Sequence, residues 1–453
     1  MKKRFVVIGG DAAGMSAASK ARREDPDLEI VVLEKSSWAS YGACGLPYYI
    51  KGDIGTLEDL VAITPDKFRK DRNIDLRLNH EVSKINPDNK NITVNRKNGE
   101  TDLPYDKLLI STGARALKPN IEGIDSEGVF TLRDMESARE IKEYIENNSP
   151  QSALIIGGGY IGMEMAEALY SRVIDIHIVE MLPNVLSTFG KEIAHAVQNH
   201  LENYTKLHLG SSIQSIKISD EGKLSVQIVD KKLNNNIITD MILVATGVAP
   251  EVSLAKESGI KLGQTGAIAT DGYGQTNITD IFAAGDCAEV KNVVTGKSQY
   301  IPLALAANRH GRSIGKTIAG KKTYLAPVAG TAVVKVFQLE VATTGIIDSE
   351  IASKYGFAPI KVTIDSHSRS GYYPGSKPIK ISLLADQKSK KLLGASMVGE
   401  EGVAKRIDII ATALNGKFTV EELESLDLAY APPFSPVWDP VLTAARVLNG
   451  KLE

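Results

Sequence analysis

Apolar and polar positions repeat along this chain in a unit that occurs twice. In each copy an apolar run leads into a glycine-rich turn, a stretch with helical spacing, a second apolar run and an acidic residue. This order predicts a βαβ unit with two parallel, buried strands. The two copies comprise Phe5–Ile8, Gly9–Gly14, Met15–Arg23, Ile30–Leu33 and Glu34, then Ala153–Ile156, Gly157–Gly162, Met163–Tyr170, Ile174–Val179 and Glu180.

The second copy carries a complete dinucleotide-binding fingerprint, G-x-G-x-x-G, at Gly157, Gly159 and Gly162. The first glycine allows a tight turn, the second lets the backbone approach a pyrophosphate, and the third lets helix and strand pack closely. Glu180 ends the second strand, where a carboxylate accepts hydrogen bonds from ribose hydroxyls and repels a 2′-phosphate. Residues 181–183 include no Arg or Lys. We therefore predict NADH, in preference to NADPH, at this copy.

The first copy departs from the fingerprint at one position. Gly9 and Gly14 match, but Asp11 stands where the central glycine is expected. Glu34 supplies the ribose carboxylate. Further along, an apolar run ends in Gly-Asp, which places the carboxylate of Asp286 where a ribityl hydroxyl and pyrophosphate would lie; the alternative is an aspartate that caps a turn. We predict that this copy binds FAD.

The pattern changes near residue 326, where strands and helices no longer alternate. Three strands and then two helices predict an α+β domain: Thr331–Phe337, Ile360–Thr363, Ile379–Leu384, Glu401–Leu414 and Val420–Leu426. The whole chain is predicted to be an α/β protein with two Rossmann-like dinucleotide-binding domains and this C-terminal domain. The predicted boundaries are 1–117 and 248–325 for a discontinuous FAD-binding domain, 118–247 for the NADH-binding domain, and 326–453 for the C-terminal domain.

The composition of the chain indicates which classes of binding partner and which cellular compartment to expect. The 453 residues include 53 basic and 55 acidic side chains, for a formal charge of −2, so no global field favours nucleic acid or a membrane surface. Two cysteines are too few for a disulfide scaffold and favour a reducing compartment. No apolar run reaches transmembrane length. We expect a cytoplasmic location.

Cys44 is the candidate redox residue. It follows the first βαβ unit in Ser40–Tyr48, and the other cysteine, Cys287, is far away in sequence and is expected to be a buried structural residue. A lone thiol stores oxidising equivalents as a mixed disulfide with a small thiol or as a sulfenic acid, and both remain open at this point. Cys44 is expected to precede a helix whose N-terminus, together with a flavin, favours the thiolate.

The order of these motifs resembles the flavin-dependent pyridine nucleotide-disulfide oxidoreductases over essentially the whole chain. Cys44 within Ser40–Tyr48 is similar to the single-cysteine branch, which contains coenzyme A-disulfide reductases, NADH oxidases and NADH peroxidases. Two-cysteine members carry a C-x4-C pair, whereas Ala39 and Tyr49 occupy the corresponding positions here. The resemblance implies FAD, a nicotinamide dinucleotide and a C-terminal dimerisation domain.

Two features favour coenzyme A-disulfide reductase within that branch. Oxidases and peroxidases carry a histidine in the first glycine turn, and Ala12 occupies the matching position here. The segments around Tyr372 and Tyr430 resemble those from which two tyrosines reach the active cysteine of the partner subunit. The resemblance implies electron flow from NADH through FAD to a Cys44–S–S–CoA mixed disulfide, with coenzyme A disulfide or persulfide as substrate. An NADH oxidase using a Cys44 sulfenic acid and a flavin redox sensor remain alternatives.

The predicted site residues form four groups, and no metal site is expected. The catalytic residues are Cys44, Tyr430 and Tyr372. The FAD residues are Gly9, Gly10, Ala12, Ala13, Gly14, Glu34, Lys35, Thr112, Gly113, Asp286 and Ala304. The NADH residues are Gly157, Gly159, Tyr160, Ile161, Gly162, Glu164, Glu180 and Gly247; the alternative for Glu164 is a solvated glutamate. The residues predicted to bind coenzyme A are Arg22, Arg23, Ser40, Lys67 and Arg69; the alternative for the four Lys and Arg residues is an ordinary solvated surface position.

Overall fold

Three five-stranded sheets organise the chain. The structure is a computed structural model that describes residues 3–96, 99–229 and 234–452. Two of the sheets are parallel and the third is antiparallel. This arrangement confirms the predicted mixed α/β fold.

The first parallel sheet contains the first predicted βαβ unit. Its strands, in spatial order, are Ile281–Ala283, Lys107–Ile110, Arg4–Ile8, Glu29–Leu33 and Asp75–Arg77. The helix Ala12–Glu24 packs against Ala304–Ile318 beside this sheet. Because the strand from residue 281 pairs with the strand from residue 107, the chain returns to this sheet after building the second one.

The second parallel sheet contains the second βαβ unit. Its order is Lys206–Leu209, Asp175–Glu180, Ser152–Ile156, Met241–Val244 and Val129–Thr131. The helix Tyr160–Tyr170 begins inside the glycine turn, three residues earlier than predicted. The first helix likewise begins at Ala12 and not at Met15. Both helices therefore present their N-terminal N–H groups at the glycine turns.

Two antiparallel meanders were not predicted. One meander lies beside the first sheet and the other beside the second. Their strands alternate buried and exposed residues, because one face of each meander is buried and the other is exposed to solvent. The meanders consist of Glu81–Asn86, Asn91–Arg96 and Gly99–Pro104, and of Ser212–Ile218, Leu224–Val229 and Asn234–Thr239.

The third sheet is antiparallel, in the order Ala332–Val336, Leu339–Gly345, Leu392–Gly399, Pro378–Asp386 and Pro359–His367. Helices Val403–Gly416, Val420–Glu424 and Pro440–Asn449 share a core with it. The three predicted strands and two predicted helices are confirmed, while the second and third strands of this order and the last helix were not predicted.

Further helices and short strands complete the fold. The helices are Leu46–Lys51, Pro65–Arg72, Met135–Asn148, Lys191–Leu201, Ser253–Glu257 and Ser349–Lys354. The strands are Ala114–Ala116, Val248–Pro250, Val290–Lys291 and Ser298–Gln299. The paired strands Ala114–Ala116 and Val248–Pro250 lie where the predicted boundaries at 117 and 248 fall, and those boundaries stay predictions. No helix in the described part of the chain is long and apolar enough to span a bilayer.

One buried carboxylate joins three parts of the fold. Glu167, on the helix Tyr160–Tyr170, accepts hydrogen bonds from the ammonium groups of Lys51 and Lys335 and, at 3.0 Å, from the backbone N–H of Phe337. These partners come from the helix after Cys44 and from the first strand of the third sheet and the turn after it. Around this contact a single apolar core includes residues from all three parts, among them Leu46, Met163 and Val334.

Candidate active site

The first glycine turn has the geometry of a dinucleotide site. Gly9 has φ +102°, and a Cβ there would lie 2.1 Å from the carbonyl oxygen of Ser111. A Cβ on Gly14 would lie 2.0 Å from the carbonyl oxygen of Gly9. The carboxylate of Glu34 accepts the N–H of Gly10 at 2.8 Å and that of Ser36 at 2.8 Å. This carboxylate is thus fixed beside the turn with lone pairs left for ribose hydroxyls.

The second turn repeats this arrangement. Gly157 has φ +107°, and a Cβ on Gly162 would lie 2.2 Å from the carbonyl oxygen of Gly157. Glu180 accepts the N–H of Gly158 at 2.7 Å and that of Leu182 at 2.7 Å. Nothing lies within 4 Å of a Cβ built on the central Gly159, so the space in front of this turn is open. Both turns therefore fit a dinucleotide whose pyrophosphate lies at a helix N-terminus.

Asp11 makes the first turn chemically different from the second. Its carboxylate accepts the N–H of Tyr41 at 3.2 Å, and the N–H of Ser40 donates to the carbonyl of Gly10 at 2.9 Å. Through these two hydrogen bonds the first glycine turn fixes the position of the segment that leads to Cys44. Burial and, less strongly, the nearby Glu34 raise the pKa of Asp11 to about 6, although the Tyr41 hydrogen bond opposes them.

A cavity of about 850 Å³ opens in front of the first turn. Cys44 and Asp286 lie on its wall. The other predicted residues on the wall are Ala12, Ala13, Gly113 and Ala304 from the FAD group, and Arg23 and Ser40 from the coenzyme A group. The cavity has room for an extended ligand in addition to a flavin ring, and one thiol lies on its wall.

Cys44 lies in a short 3-10 helix, Ala43–Gly45, directly before the helix Leu46–Lys51, and its side chain is exposed to the cavity. Enclosure by the surrounding walls raises the pKa of its thiol, and Glu164 and then Asp286 raise it further, whereas Arg133 lowers it. The protein groups around Cys44 therefore favour the neutral thiol overall. The thiolate predicted from the helix N-terminus and the flavin is not favoured by these groups alone.

Arg133 was not predicted, because no motif surrounds it. Its guanidinium donates to Asp286 at 3.1 Å and to the carbonyl of Ala114 at 2.8 Å, and it lines the cavity. The residue immediately precedes the N-cap Asp134 of a helix in the second part of the fold, 153 positions from Asp286 in sequence. It is the cation that opposes the acidic groups around Cys44.

Tyr160 and Glu164 lie on the first turn of the second helix. The Tyr160 ring contacts that of Phe189, with 5.2 Å between centroids, and burial raises the pKa of its phenol. The pKa of Glu164 is raised to about 7 by burial and, less strongly, by Glu167, while a hydrogen bond with Tyr48 opposes the rise. Tyr48 follows Cys44 by four positions, so Glu164 connects the NADH-type turn with the cysteine segment.

Of the five residues predicted to bind coenzyme A, two line the cavity and the other three are not part of its wall. Arg23 and Ser40 line the cavity. The guanidinium of Arg22 donates to backbone carbonyls of Arg72, Pro26 and Asn73. Arg69 donates to the carbonyl of Leu76, and Lys67 is exposed on the same helix. Among the polar residues that were not predicted, Arg72, Asn308, Arg309 and Arg312 also line the cavity.

Tyr372 and Tyr430 lie together although 58 residues separate them in sequence. Their hydroxyl oxygens are 3.0 Å apart, and the side chains are 75% and 45% exposed. Exposed apolar side chains surround the pair in sequence: Tyr373, Phe434, Val437 and Trp438. Within one chain the two tyrosines therefore form one exposed polar tip on an apolar surface.

The remaining predicted residues lie in or beside the two turns. Thr112 donates to the carbonyl of Glu251 at 2.7 Å, and Gly113 and Gly247 have φ of +74° and +112°. Lys35 is exposed next to Glu34, and Ile161 is partly buried within the second turn. The structure thus describes every predicted site residue, and their roles stay predictions.

Residues 3–311 match the family described as pyridine nucleotide-disulphide oxidoreductase. Residues 331–440 match the pyridine nucleotide-disulphide oxidoreductase dimerisation domain.

Curated relatives align along nearly their full length. A CoA-dependent NAD(P)H sulfur oxidoreductase from Pyrococcus abyssi is 39% identical over 450 residues, 99% of each chain. An NADH oxidase from Methanocaldococcus jannaschii is 38% identical over 453 residues, again 99% of each. A coenzyme A disulfide reductase from Staphylococcus haemolyticus is 32% identical over 437 residues, 96% of each.

A solved structure shows the same architecture. The reduced CoADR-RHD of Bacillus anthracis superimposes with a TM-score of 0.95 at 38% identity. The match covers 100% of this chain and 81% of that one. The fold is therefore shared along the whole chain.

Proposed function

This chain belongs to the family of pyridine nucleotide-disulphide oxidoreductases, and on that premise we propose that it reduces coenzyme A disulfide, or a related persulfide, with electrons from NADH. The family implies FAD and a nicotinamide dinucleotide as cofactors. The observation that carries the proposal is a single thiol, Cys44, on the wall of a cavity that also holds the first glycine turn and several arginines.

The ligand chemistry of that cavity supports coenzyme A. Its ADP moiety carries several phosphate charges, which require Arg or Lys donors. Arg23, Arg72, Arg309 and Arg312 line the same cavity as Cys44. We therefore assign phosphate binding to this arginine cluster. Arg22 already donates to backbone carbonyls and is given no such role.

The two glycine turns are assigned to two different dinucleotides. Gly9, Gly14 and Glu34, with Asp286 and Ala304, would hold FAD, because this turn opens into the cavity of Cys44. Gly157, Gly162 and Glu180 would hold NADH. Bound FAD supplies a two-electron carrier between the nicotinamide and the sulfur. Tyr160 and Glu164 are assigned to the nicotinamide end, since they begin the helix after the second turn.

Cys44 carries the disulfide chemistry. Two electrons and one proton break the S–S bond of a Cys44–S–S–CoA mixed disulfide, giving a Cys44 thiolate and a CoA thiol. That thiolate attacks a second CoA disulfide, forms a new mixed disulfide and releases one CoA thiolate, which takes up a proton. Over one cycle the disulfide gains two electrons and two protons and leaves as two CoA thiols.

Tyr372 and Tyr430 are assigned to proton delivery at the leaving thiol. No histidine stands beside the sulfur in the first turn, because that position is Ala12. The tyrosine pair is exposed on an apolar surface of a C-terminal domain that matches a dimerisation domain. We therefore propose a symmetric homodimer in which each pair completes the cavity of the partner subunit.

An NADH oxidase is the second candidate. The observation in its favour is the Methanocaldococcus jannaschii relative of that name, at 38% identity. In that case Cys44 would alternate between thiol and sulfenic acid with oxygen as oxidant. Ala12 counts against it, because this position lacks a side chain able to transfer a proton.

An anaerobic assay separates the two candidates. With NADH and coenzyme A disulfide, a reductase turns over steadily without oxygen, whereas an oxidase reduces its flavin once and stops. Mass spectrometry of the purified protein should show Cys44 heavier than the free thiol by the mass of CoA minus two hydrogens, as expected for a mixed disulfide. Cys44→Ser should abolish disulfide turnover and leave flavin reduction intact, with Cys287→Ser as the matched control. Rapid NADH consumption that requires oxygen, without any CoA adduct, would establish the oxidase instead.

A further inference from the structure

Two exposed loops carry the tyrosine pair, and neither has regular secondary structure at the tyrosine. Tyr372 follows the strand Pro359–His367, and Tyr430 lies between the helices Val420–Glu424 and Pro440–Asn449. The hydroxyl groups nonetheless lie 3.0 Å apart. Ordering two exposed side chains on separate loops costs conformational entropy, so contacts that fix both loops favour this distance.

A buried ion pair lies beneath them. Arg406, on the helix Val403–Gly416, and Asp439, the N-cap of the helix Pro440–Asn449, are each 7% exposed. Arg406 Nε donates to Asp439 Oδ2 at 2.8 Å. Burying two charges costs several kcal/mol of desolvation, so a buried pair is weak evidence for a gain in stability. Its geometry is the more informative property.

A second nitrogen of Arg406, Nη2, reaches both loops, while Nη1 donates to the carbonyl of Gly402 at the start of its own helix. Nη2 donates to the carbonyl oxygen of Ser368 at 2.9 Å, at the base of the Tyr372 loop. The same nitrogen donates to the carbonyl oxygen of Phe434 at 3.3 Å, in the Tyr430 loop. One planar guanidinium therefore fixes the two loop bases relative to each other.

Two serines complete the network. Ser435 donates its hydroxyl to Asp439 Oδ2 at 2.9 Å. Ser370 donates its N–H to the carbonyl of Pro432 at 3.3 Å and its hydroxyl to the carbonyl of Ser435 at 3.4 Å. Both serines are buried. The two loops are thus joined to each other as well as to the ion pair.

We propose that Arg406 and Asp439 are positioning residues, which hold Tyr372 and Tyr430 at one spacing so that the pair delivers a proton to the thiol leaving the partner subunit's cavity. This inference rests on the proposed function for the reaction, while the spacing itself depends on this chain alone.

The distance between the hydroxyl groups of Tyr372 and Tyr430 affects a property that absorbance can follow, the pKa of each phenol. The hydrogen bond from Tyr430 lowers the pKa of Tyr372, and the same contact with Tyr372 raises that of Tyr430. If the loops move apart, the phenol of Tyr372 loses this donor and its pKa rises towards the ordinary value. Phenolate absorbance against pH, taken as the difference between a protein and its Tyr372→Phe/Tyr430→Phe counterpart, isolates the titration of this pair among the 15 tyrosines, with Tyr372 as the component that titrates first.

The test uses Arg406→Lys, which keeps the charge but loses the planar fork. In the full-length holoenzyme we expect kcat for coenzyme A disulfide to fall about 10-fold, the loss of roughly one good charged hydrogen bond. NADH reduction of the flavin and the dimer mass by light scattering should not change. Lys405→Gln, the neighbouring residue with a 90% exposed side chain, is the matched control. If Arg406→Lys does not fold, Ser435→Ala removes one link of the network and should lower kcat about 3-fold.

A double-mutant cycle distinguishes positioning from general support. In a Tyr372→Phe/Tyr430→Phe background, Arg406→Lys should cause no further loss of kcat, because the groups it positions are gone. An equal loss in that background, or an unchanged Tyr372 titration in Arg406→Lys, would overturn the inference. If the wild type fails to reduce coenzyme A disulfide, the proposed function fails, and the Tyr372 titration still decides whether Arg406 fixes the pair.

Discussion

The two glycine turns share a backbone and differ in the side chains that face the ligand. Gly9 and Gly157 both have positive φ, and Glu34 and Glu180 each accept two backbone N–H groups. The central position is Asp11 in the first turn, whereas the second has a glycine there. The shared geometry thus specifies a dinucleotide site, and the differing position adds a charge next to the cysteine segment in one copy alone.

The helices that follow the turns also diverge, at equivalent positions. Two residues after the last glycine stand Ser16 in the first copy and Glu164 in the second; five residues after it stand Ser19 and Glu167. Ser16 donates to Asn308 at 2.7 Å, on the helix that closes the cavity. The two glutamates instead contact the segment after Cys44. The same helix face therefore packs against a cavity wall in the first copy, whereas in the second it places two acids beside the segment that follows Cys44.

Replacing the last glycine of each turn should have the largest effect, and it should affect a different ligand in each copy. Gly14→Ala places a Cβ 2.0 Å, and Gly162→Ala 2.2 Å, from a backbone oxygen, so each turn must shift. We expect Gly14→Ala to lower FAD affinity and Gly162→Ala to lower NADH affinity, each by about 100-fold, which corresponds to roughly 3 kcal/mol. Flavin content after purification and NADH titration measure the two effects. Loss of FAD from both variants would mean that the copies are not independent sites.

Removal of the ribose carboxylates should have the next largest effect. Glu180→Ala is expected to reduce the ratio of NADH to NADPH efficiency about 10-fold, because repulsion of the 2′-phosphate is lost. Glu34→Gln should leave that ratio unchanged and weaken FAD instead. Steady-state kcat/KM with both nucleotides provides the measurement. An unchanged ratio in Glu180→Ala would refute the assignment of NADH to the second copy.

Asp11 should make the first copy pH-dependent in a way that the second is not. Its pKa of about 6 lies above the ordinary value, so the carboxyl is neutral below pH 6 and ionised above it. The charge then repels a pyrophosphate, and we expect FAD affinity to fall about 10-fold between pH 5 and pH 8. Asp11→Asn, which keeps an acceptor for Tyr41, should remove this dependence. Fluorescence of released FAD across the pH range checks it, and parallel curves for both proteins would contradict the idea.

The smallest expected effect concerns Glu164. Its pKa of about 7 means that it is largely ionised at pH 8, where its charge raises the pKa of Cys44. Glu164→Gln should therefore increase alkylation of Cys44 by iodoacetamide at pH 8 by about 2-fold to 3-fold. The matched control is Ser16→Ala, at the equivalent position of the first copy. A slower reaction in Glu164→Gln would mean that this carboxylate does not act on the thiol through its charge.

The sequence predicts the two parallel sheets well because their signals are local. Apolar runs followed by glycine turns mark strands and helix starts within about thirty residues. The third sheet is predicted less completely. The strand Leu392–Gly399 contains two glycines, an alanine and a serine, which disfavour a strand prediction, yet its eight residues are all buried by pairing on both sides. Tertiary packing decides its conformation.

The candidate site is predictable where a motif marks it and not where distant segments meet. Cys44 and both ribose carboxylates follow from spacing. Arg133 contacts Asp286 from 153 positions away, and no pattern around it indicates that contact. Arg22 precedes Arg23 directly, but on a helix neighbouring side chains diverge by about 100°, so one reaches the cavity and the other reaches carbonyl groups at the helix end. Arg309 and Arg312, spaced three apart after Ala304, were a detectable signal.

The carboxylate of Glu167 has a consequence for dissecting this molecule. Its two lysine partners, Lys51 and Lys335, lie far apart in sequence, and the apolar core around it includes residues from all three parts of the fold. An excised fragment of residues 1–325 would lose Lys335 and the N–H of Phe337, leave Lys51 as the remaining cation beside Glu167, and open that core to water. The three parts of the fold are therefore not interchangeable modules. A chimaera that exchanges one part of this chain for that of a relative needs to keep Glu167, its lysine partners and the apolar core around them together.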